Sequence, residues 1–307
     1  MPIVSTRPAS PGSVNVALQI AIAPTIRINV VTLDMAGNVS TATYVVLVDT
    51  TPVPAGCGTT VNVKKSGSGF YYTTIMDAVN SLAKTLTSDT CVVIRDTQTY
   101  SESVELRGFS SAAGYQLKIM SDPAFVSSAP VVSPPTASTA AFFVQNTSVT
   151  ILNISVLGAN NMPYGVYASS GYVTLSSVNV NSSAGIYGAG IWLSSGSVVS
   201  YSSVTVQSAL GLSLTGKLNS VSYSSMTSAN VALSFSGGST NTVIGGFFST
   251  TRSTAVYFGL NANFNSIGGG SITATGDPES AAVYFMSAAS NTISDSTIFK
   301  SSRTAVR

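Results

Sequence analysis

The chain has 307 residues and a net charge of +2, and charged residues make up only 8% of it, against about 25% in an ordinary soluble domain. So small a net charge argues against nucleic acid or an anionic membrane as a partner, and no apolar run approaches the roughly 18 residues that a membrane-spanning helix needs. Histidine is absent, which removes the commonest general base and the commonest metal ligand.

Residues 1–49 contain two runs of alternating apolar and polar residues, Ile26–Thr32 and Thr41–Val48, joined by the Asp-, Gly- and Asn-containing segment Asp34–Ser40. This pattern predicts a β-hairpin. The segment TLDMAGNVSTATYVVLVDTTPVP resembles the final hairpin of the bacterial immunoglobulin-like repeats of large surface proteins. A whole immunoglobulin-like sandwich needs about 100 residues. We therefore expect a partial immunoglobulin-like β segment, followed by a short proline-containing linker at 50–56.

The next segment, 57–122, changes character and predicts a short helix followed by buried strands. Thr73–Leu86 carries apolar residues at helical spacing, which is typical of an amphipathic helix. Three apolar stretches then predict strands, Cys91–Ile94, Val104–Leu106 and Leu117–Ile119.

The string VKKSGSGFYYTTIMDAVNSL, followed by CVVIRDTQTYSESVEL, resembles the start of pectin methylesterases and related pectate-lyase-like β-helices. In that family an amphipathic helix covers the open N-terminal end of the β-helix. The resemblance implies that 57–122 is an N-terminal cap with the first strands of such a fold. A disulfide between Cys57 and Cys91 would then join the cap to the first strand, as expected outside the cell, whereas in a reducing cytosol the two thiols would be an incidental pair.

Residues 123–307 contain a repeat. Pairs of apolar residues five positions apart recur every 22 to 26 residues, and Asn-Thr or Asn-Ser dipeptides recur at Asn219, Asn241, Asn265 and Asn291. The pairs are Val149/Ile154, Val173/Val178, Val199/Val204, Val221/Met226, Val243/Phe248, Ile267/Ile272 and Ile293/Ile298. This resembles the parallel β-helix repeat of pectate lyases, polysaccharide epimerases and many bacterial surface proteins. We predict an all-β, right-handed parallel β-helix (a solenoid) with about seven turns in this segment, the last one incomplete.

One strand of each turn gives a predicted set of stacked columns. The inward columns are Val166, Ile191, Leu212, Leu233, Val256, Val283 and Leu193, Leu214, Phe235, Phe258, Phe285. The outward column between them is Tyr167, Trp192, Ser213, Ser234, Tyr257, Tyr284. Its four aromatic residues are the candidate carbohydrate-binding residues, because stacked rings can pack against sugar rings. The alternative is that they pack on loops, on a neighbouring domain or on one another.

Catalytic residues are not predicted. The chain has 11 acidic residues, and none of them lies between residues 123 and 276. Glycoside hydrolysis needs two carboxylates, and lyases of this fold bind Ca²⁺ through carboxylates. We therefore expect no enzyme activity, no metal site and no cofactor. Asp277 and Glu279 could suggest a weak Ca²⁺ site, but a solvated loop explains them more simply.

These observations favour a non-catalytic structural or adhesive segment of a large extracellular bacterial surface protein. The chain is expected to be a piece of a longer chain, with neighbouring modules of the same protein, polysaccharide, or end-to-end self-association as its contacts. Two alternatives stay open. One is a carbohydrate-binding module that uses the aromatic column, and the other is a fragment of a polysaccharide-active esterase or lyase whose acids lie outside this chain.

Overall fold

The computed structural model describes residues 25–33, 39–47, 52–66, 71–183, 185–276, 281–301 and 305–307. The chain divides into two compact units, Met1–Pro52 and Val53–Arg307, and the division falls within the predicted linker. In the first unit, Thr25–Leu33 and Val39–Leu47 pair as antiparallel strands, so the predicted hairpin is present. Most of the turn between them, residues 34–38, lies outside the described residues.

The second unit is an all-β, right-handed parallel β-solenoid of about nine turns. Each full turn, or rung, adds one strand to each of three parallel sheets, named here sheets 1, 2 and 3 in the order in which a rung passes through them; the chain enters the solenoid in sheet 2. Sheet 1 contains Val104–Arg107, Ala140–Gln145, Met162–Ala168, Ile186–Leu193, Leu210–Leu214, Leu233–Phe235, Val256–Phe258 and Val283–Phe285. Sheet 2 contains Thr59–Val63, Tyr71–Tyr72, Thr90–Ile94, Leu117–Ser121, Ser148–Leu152, Tyr172–Ser176, Val198–Ser200, Ser220–Ser222, Thr242–Ile244, Ser266–Gly268 and Thr292–Ser294. Sheet 3 contains Thr99–Tyr100, Val131–Val132, Ser155–Leu157, Asn179–Ser182, Ser203–Val206, Ser225–Ser228, Phe247–Thr250, Ser271–Ala274 and Thr297–Lys300.

The core includes the two columns that the alternation of sheet 1 predicts, together with the inward residues of sheets 2 and 3. Val166 pairs with Ile191, and the column continues in register to Val283. In the second column the phenyl ring of Phe258 stacks between those of Phe235 and Phe285, at centroid distances of 4.7 and 4.6 Å. One rung alone buries little apolar surface, so the stacking of rungs creates the core.

The register of the first rungs differs from the predicted alignment. Val199 pairs with Leu175 and not with Val173. In place of Val149/Ile154 and Val173/Val178, the in-register pairs are Ile151/Val156 and Leu175/Val180. Alternate residues of a strand face the same side, so a shift of two residues leaves the same face inward. The apolar pattern therefore fits both alignments, and only the strand pairing decides between them.

The recurring asparagines form a ladder at the corner between sheets 1 and 2, in which Asn219, Asn241 and Asn265 are buried. The side-chain amide of Asn241 donates to the Oδ1 of Asn265 at 2.9 Å, and that of Asn265 donates to the Oδ1 of Asn291 at 3.0 Å. Each Oδ1 also accepts the backbone N–H of the asparagine one rung earlier. The ladder satisfies polar backbone groups that the corner leaves without sheet partners.

The capping helix is shorter than predicted and spans Ile75–Asn80. Thr74 caps its N-terminus by accepting the backbone N–H of Asp77, and the Glu102 carboxylate accepts the N–H groups of Ile75 and Met76, both at 2.8 Å. The helix ends where the Ser81 hydroxyl donates to the backbone oxygen of Ala78 at 2.7 Å, because such side chains compete with helical hydrogen bonds. The predicted last turn instead consists of bends that lead to an isolated parallel β-bridge between Thr85 and Ser110, where the N–H of Leu86 donates to the backbone oxygen of Ser110.

Two covalent or ionic contacts hold this N-terminal region together. Cys57 and Cys91 form the predicted disulfide, with their Cα atoms 5.7 Å apart. The Arg95 guanidinium forms an ion pair with the Asp122 carboxylate, and both residues are buried. Arg95 Nε also donates to the Oδ1 of Asn62 at 2.9 Å. The three predicted strands of this region are present, as Thr90–Ile94, Val104–Arg107 and Leu117–Ser121.

Candidate functional site: the aromatic face of sheet 1

The predicted outward column is in register along sheet 1. Tyr167 pairs with Trp192, and Tyr257 pairs with Tyr284. Their side chains are half-buried, which leaves part of each ring at the surface. The structure thus places the four candidate residues on one face, although it divides them into two groups.

The first group is a cluster of rings around Tyr167. The Tyr164 ring stacks on Tyr167 at 4.4 Å, the Trp192 ring packs against Tyr167 at 4.7 Å with a tilt of 39°, and the Tyr164 and Trp192 centroids lie 6.3 Å apart. Phe143, one rung earlier, lies 5.3 Å from Tyr167. The guanidinium of Arg107 lies over the Phe143 ring at 4.4 Å. These contacts fix the ring planes and leave their outer edges at the surface.

Tyr164 is a member of this cluster that alternation does not predict. It has the same parity as the inward Val166, so strict alternation would direct it into the core. The pairing with the next strand shifts register between Met162 and Tyr164, as at a β-bulge, and a bulge changes the direction of a side chain. The Pro-Tyr-Gly sequence at 163–165 is the local signal of this irregularity.

The second group lies at the other end of the face. The rings of Tyr257 and Tyr284 stack at 5.9 Å, and the Tyr257 hydroxyl donates to the sulfur of Met286 at 3.0 Å. A depression of about 320 Å³ beside the two rings is lined in part by Ser234 and Ser253. This group therefore combines two ring faces with nearby hydroxyl groups.

Two serines separate the groups. Ser213 and Ser234 occupy the outward column between Trp192 and Tyr257, and each is only 2% exposed. Three rung steps at about 4.8 Å put the two groups about 14 Å apart. The predicted column is therefore two aromatic clusters with a covered interval, and not one continuous row of rings.

Comparison with known proteins finds no relative. No protein-family model, no curated protein and no solved structure matches the chain. The parallel β-solenoid therefore rests on the strand pairing itself, and the resemblances to pectate-lyase-like β-helices and to immunoglobulin-like repeats remain expectations.

The face offers little acid–base chemistry. Burial raises the pKa of the Tyr164 phenol above its ordinary value, and the neighbouring Tyr167 and Tyr187 add to that rise. A raised pKa keeps this hydroxyl neutral, so it acts as a hydrogen-bond donor and not as a base. Within the described residues, no three His, Cys, Asp or Glu side chains cluster in a way that could hold a metal ion. Asp277 and Glu279, the candidate Ca²⁺ ligands, lie outside those residues.

A membrane-spanning helix is not found in the part of the chain that the structure describes. The faces of the aromatic rings on sheet 1 can pack against C–H groups of a ligand, and the hydroxyl and amide groups around them can donate and accept hydrogen bonds.

Proposed function

We propose that the chain is a non-catalytic structural or adhesive segment of a large extracellular bacterial surface protein. The observation that carries the proposal is the uninterrupted stack of parallel strands under a surface with few charged residues. Sheet 2 runs in register from the capped end of the solenoid to Thr292–Ser294. Such a stack is a suitable rigid spacer, because each rung is hydrogen-bonded to the rungs on both sides.

The surface chemistry supports a spacer over an enzyme. Between residues 123 and 276 the only charged residues are Lys217 and Arg252. General acid–base catalysis needs a titratable group at the reacting atoms, and carboxylates and histidines supply most of them. The outward residues of sheets 2 and 3 are instead mainly serine and threonine, which bind water and other hydroxyl groups.

The disulfide supports the extracellular part of the proposal. Disulfides persist in secreted and cell-surface proteins and are rare in reducing compartments. Cys91 is fully buried in the first strands of sheet 2, and its bond to Cys57 secures the segment that leads into the cap. A segment exposed to proteases outside the cell gains resistance from such a crosslink.

A pair of assays on the purified chain tests this proposal. Incubation with pectin, alginate and plant cell-wall polysaccharides should release no reducing ends, unsaturated products or methanol. Digestion with proteinase K should leave the unit Val53–Arg307 intact long after an unfolded reference protein has been degraded. Turnover of any of these polysaccharides, or rapid digestion of that unit, would refute the proposal.

A second candidate function is carbohydrate binding by the aromatic face of sheet 1. The specific observation in its favour is that the Tyr167–Trp192 pair keeps ring surface accessible while its ring planes are fixed by neighbours. A glycan array with the chain and a Trp192→Ala variant tests it. A defined glycan bound by the chain and not by the variant supports this function. Binding that is unchanged in Trp192→Ala excludes the face.

A further inference from the structure

A depression of about 440 Å³ lies at the corner that leads into sheet 2, beside the cap and away from the aromatic face of sheet 1. Its walls include Tyr115 and Gln116 on one side and Tyr172 on the other, with Asn146 and Ser148 between them. We call it the Tyr172 groove. Among the residues that the structure describes, no charged side chain lines it.

The strand register explains why a groove forms here. Gln116 precedes Leu117, which pairs with Val149, so Gln116 lies beside Ser148. Ser148 pairs in turn with Tyr172. The same outward position is thus large, small and large on three successive rungs. Because two rung steps span about 10 Å, the small serine leaves a trough that is wide enough for a sugar ring.

The Tyr172 ring is held in place by the next rung. Gly196 lies there with φ +64°, and a Cβ on Gly196 would come within 2.6 Å of the Tyr172 ring. The ring therefore rests against a position where only glycine leaves space and where the backbone is left-handed. Tyr172 is nonetheless 60% exposed, so one face of its ring is available to a ligand.

The opposite wall is also fixed. Tyr115 is 40% exposed, and its backbone N–H donates to the Ser111 hydroxyl at 2.8 Å. The backbone N–H of Gln116 donates to the Asp89 carboxylate at 2.9 Å. These hydrogen bonds hold the loop that presents the Tyr115 ring and the Gln116 amide, so the wall is formed before a ligand arrives.

The trough continues past Tyr172. A second depression of about 290 Å³ lies on the far side of that ring, lined by Ser169, Ser170, Ser194 and Ser195. The Ser169 hydroxyl is buried and has no hydrogen-bond partner within the described residues. Buried polar groups are rarely left without partners, and those that are call for an explanation such as a water molecule or a ligand. The two depressions together form a row of hydroxyl and amide groups with an aromatic ring at its centre.

We propose that the Tyr172 groove binds a neutral oligosaccharide. The flat face of a pyranose ring carries C–H groups that pack on an aromatic ring, whereas its edge carries hydroxyls that hydrogen-bond to serine, asparagine and glutamine side chains. None of the lining residues carries a charge that could replace the water around a carboxylate, which disfavours anionic sugars, and the nearby Lys84 ammonium is engaged with the Phe109 ring and the Arg107 backbone oxygen. The groove is distinct from the aromatic face of sheet 1, and the two sites make separate predictions.

The test is a glycan array printed with neutral cello-, xylo-, manno- and chito-oligosaccharides and with anionic oligogalacturonates and alginate oligosaccharides. The chain should bind neutral members only. Calorimetric titration with the strongest neutral ligand should give a dissociation constant about tenfold weaker, or about 1.4 kcal/mol, for Tyr172→Ala. Ser148→Phe, which fills the exposed floor of the trough, should abolish binding and leaves the Tyr172 ring in place.

Two controls locate the binding. Tyr201→Ala removes a tyrosine that is 65% exposed on the corner after a strand of sheet 2, and Trp192→Ala removes one ring of the aromatic face of sheet 1; both variants should bind like the parent chain. Circular dichroism melting checks that each variant is folded. If Tyr172→Ala does not fold, the Ser148→Phe variant alone tests whether the groove binds the oligosaccharide. Absence of neutral binding, or binding that survives either groove variant, would overturn the proposal. Binding lost only in Trp192→Ala would also overturn it, while supporting the separate aromatic-face function.

Discussion

The side-chain amide of Asn219 donates a hydrogen bond to the Oδ1 of Asn241, one rung later, at 2.9 Å. The same oxygen accepts the backbone N–H of Asn219 at 2.8 Å. One buried acceptor therefore satisfies two donors of the preceding rung, and Asn265 serves Asn241 in the same way. The corner between sheets 1 and 2 thus depends on identical side chains being stacked in register.

Replacement of Asn241 by alanine should destabilise the solenoid by on the order of 3 kcal/mol. It leaves the backbone N–H of Asn219 without an acceptor and removes one of the two acceptors of its side-chain amide, which keeps only the Ser194 backbone oxygen. Each buried donor left unsatisfied costs about 1–3 kcal/mol. Chemical denaturation measures the loss, and hydrogen exchange should show faster exchange of the Asn219 amide than of amides several rungs away.

Thr242→Ala is the matched control, because the Thr242 side chain is exposed on the outward face directly after the ladder position. It should change the free energy of unfolding by no more than about 0.5 kcal/mol. If Asn241→Ala unfolds at the same denaturant concentration as the control, the ladder contributes nothing to stability, and the stabilising role given to it here is wrong.

The Arg95–Asp122 pair should be essential to the N-terminal rungs. Asp122→Asn keeps the shape and the acceptor that receives the backbone N–H of Ala124, but it leaves the Arg95 cation buried without its counter-ion. Breaking a buried pair in this way costs about 3–5 kcal/mol. Thermal unfolding followed by circular dichroism should show the loss.

An exposed pair nearby provides the comparison. Arg107 Nε lies 3.3 Å from a Glu105 carboxylate oxygen, and both side chains are 49% exposed. Glu105→Gln should cost less than about 1 kcal/mol, since exposed ion pairs contribute little. If Asp122→Asn and Glu105→Gln lower the free energy of unfolding equally, the buried ion pair contributes no more to stability than the exposed one.

Reduction of the Cys57–Cys91 disulfide should loosen the cap before the rest of the solenoid. The crosslink closes a loop with a sequence separation of 34, for which chain entropy gives about 3–4 kcal/mol. Hydrogen exchange with and without reductant should show new exchange near Thr59–Val63 and little change in the central rungs. A Cys57→Ser/Cys91→Ser variant should be insensitive to reductant. Global unfolding on reduction would contradict this local effect.

The inward columns of sheet 1 could be predicted because a parallel solenoid repeats one physical constraint on every rung. Alternation sets which residues of a strand face the core, and stacking requires the equivalent residue of the next rung to be apolar as well. Val166 and Ile191 can therefore be aligned as equivalent inward positions from the sequence alone. The residues that follow them, Tyr167 and Trp192, are then predicted to face outward. The strand register confirms these positions.

The features that were missed depend on contacts that no repeat encodes. Tyr164 joins the aromatic cluster through a local register shift, and the end of the helix at Asn80 depends on side-chain competition at Ser81. The pairing of Arg95 with Asp122 joins two rungs through a single contact. The sequence also does not predict the Tyr172 groove. Its prediction requires the sizes of the side chains at one outward position to be compared on successive rungs in the correct register.

Stability should fall at alkaline pH through Tyr100. This residue is 2% exposed, and its hydroxyl donates to an Asp96 carboxylate oxygen at 2.8 Å. Burial, followed by the contact with Asp96, raises the pKa of Tyr100 far above its ordinary value. The folded state thus keeps a proton that the unfolded chain releases above about pH 10, so the contribution is complete below that pH and is lost as the pH rises.

Between about pH 9 and about pH 11, the free energy of unfolding of the parent chain should therefore fall more steeply than that of Tyr100→Phe, by up to about 1.4 kcal/mol per pH unit. Phenylalanine keeps the buried ring and removes the proton. Tyr201→Phe serves as the control, since the Tyr201 ring is 65% exposed, and its slope should equal that of the parent chain. Denaturant titrations at several pH values measure these slopes. Equal slopes for the parent chain and Tyr100→Phe would show that the alkaline loss of stability arises from other groups.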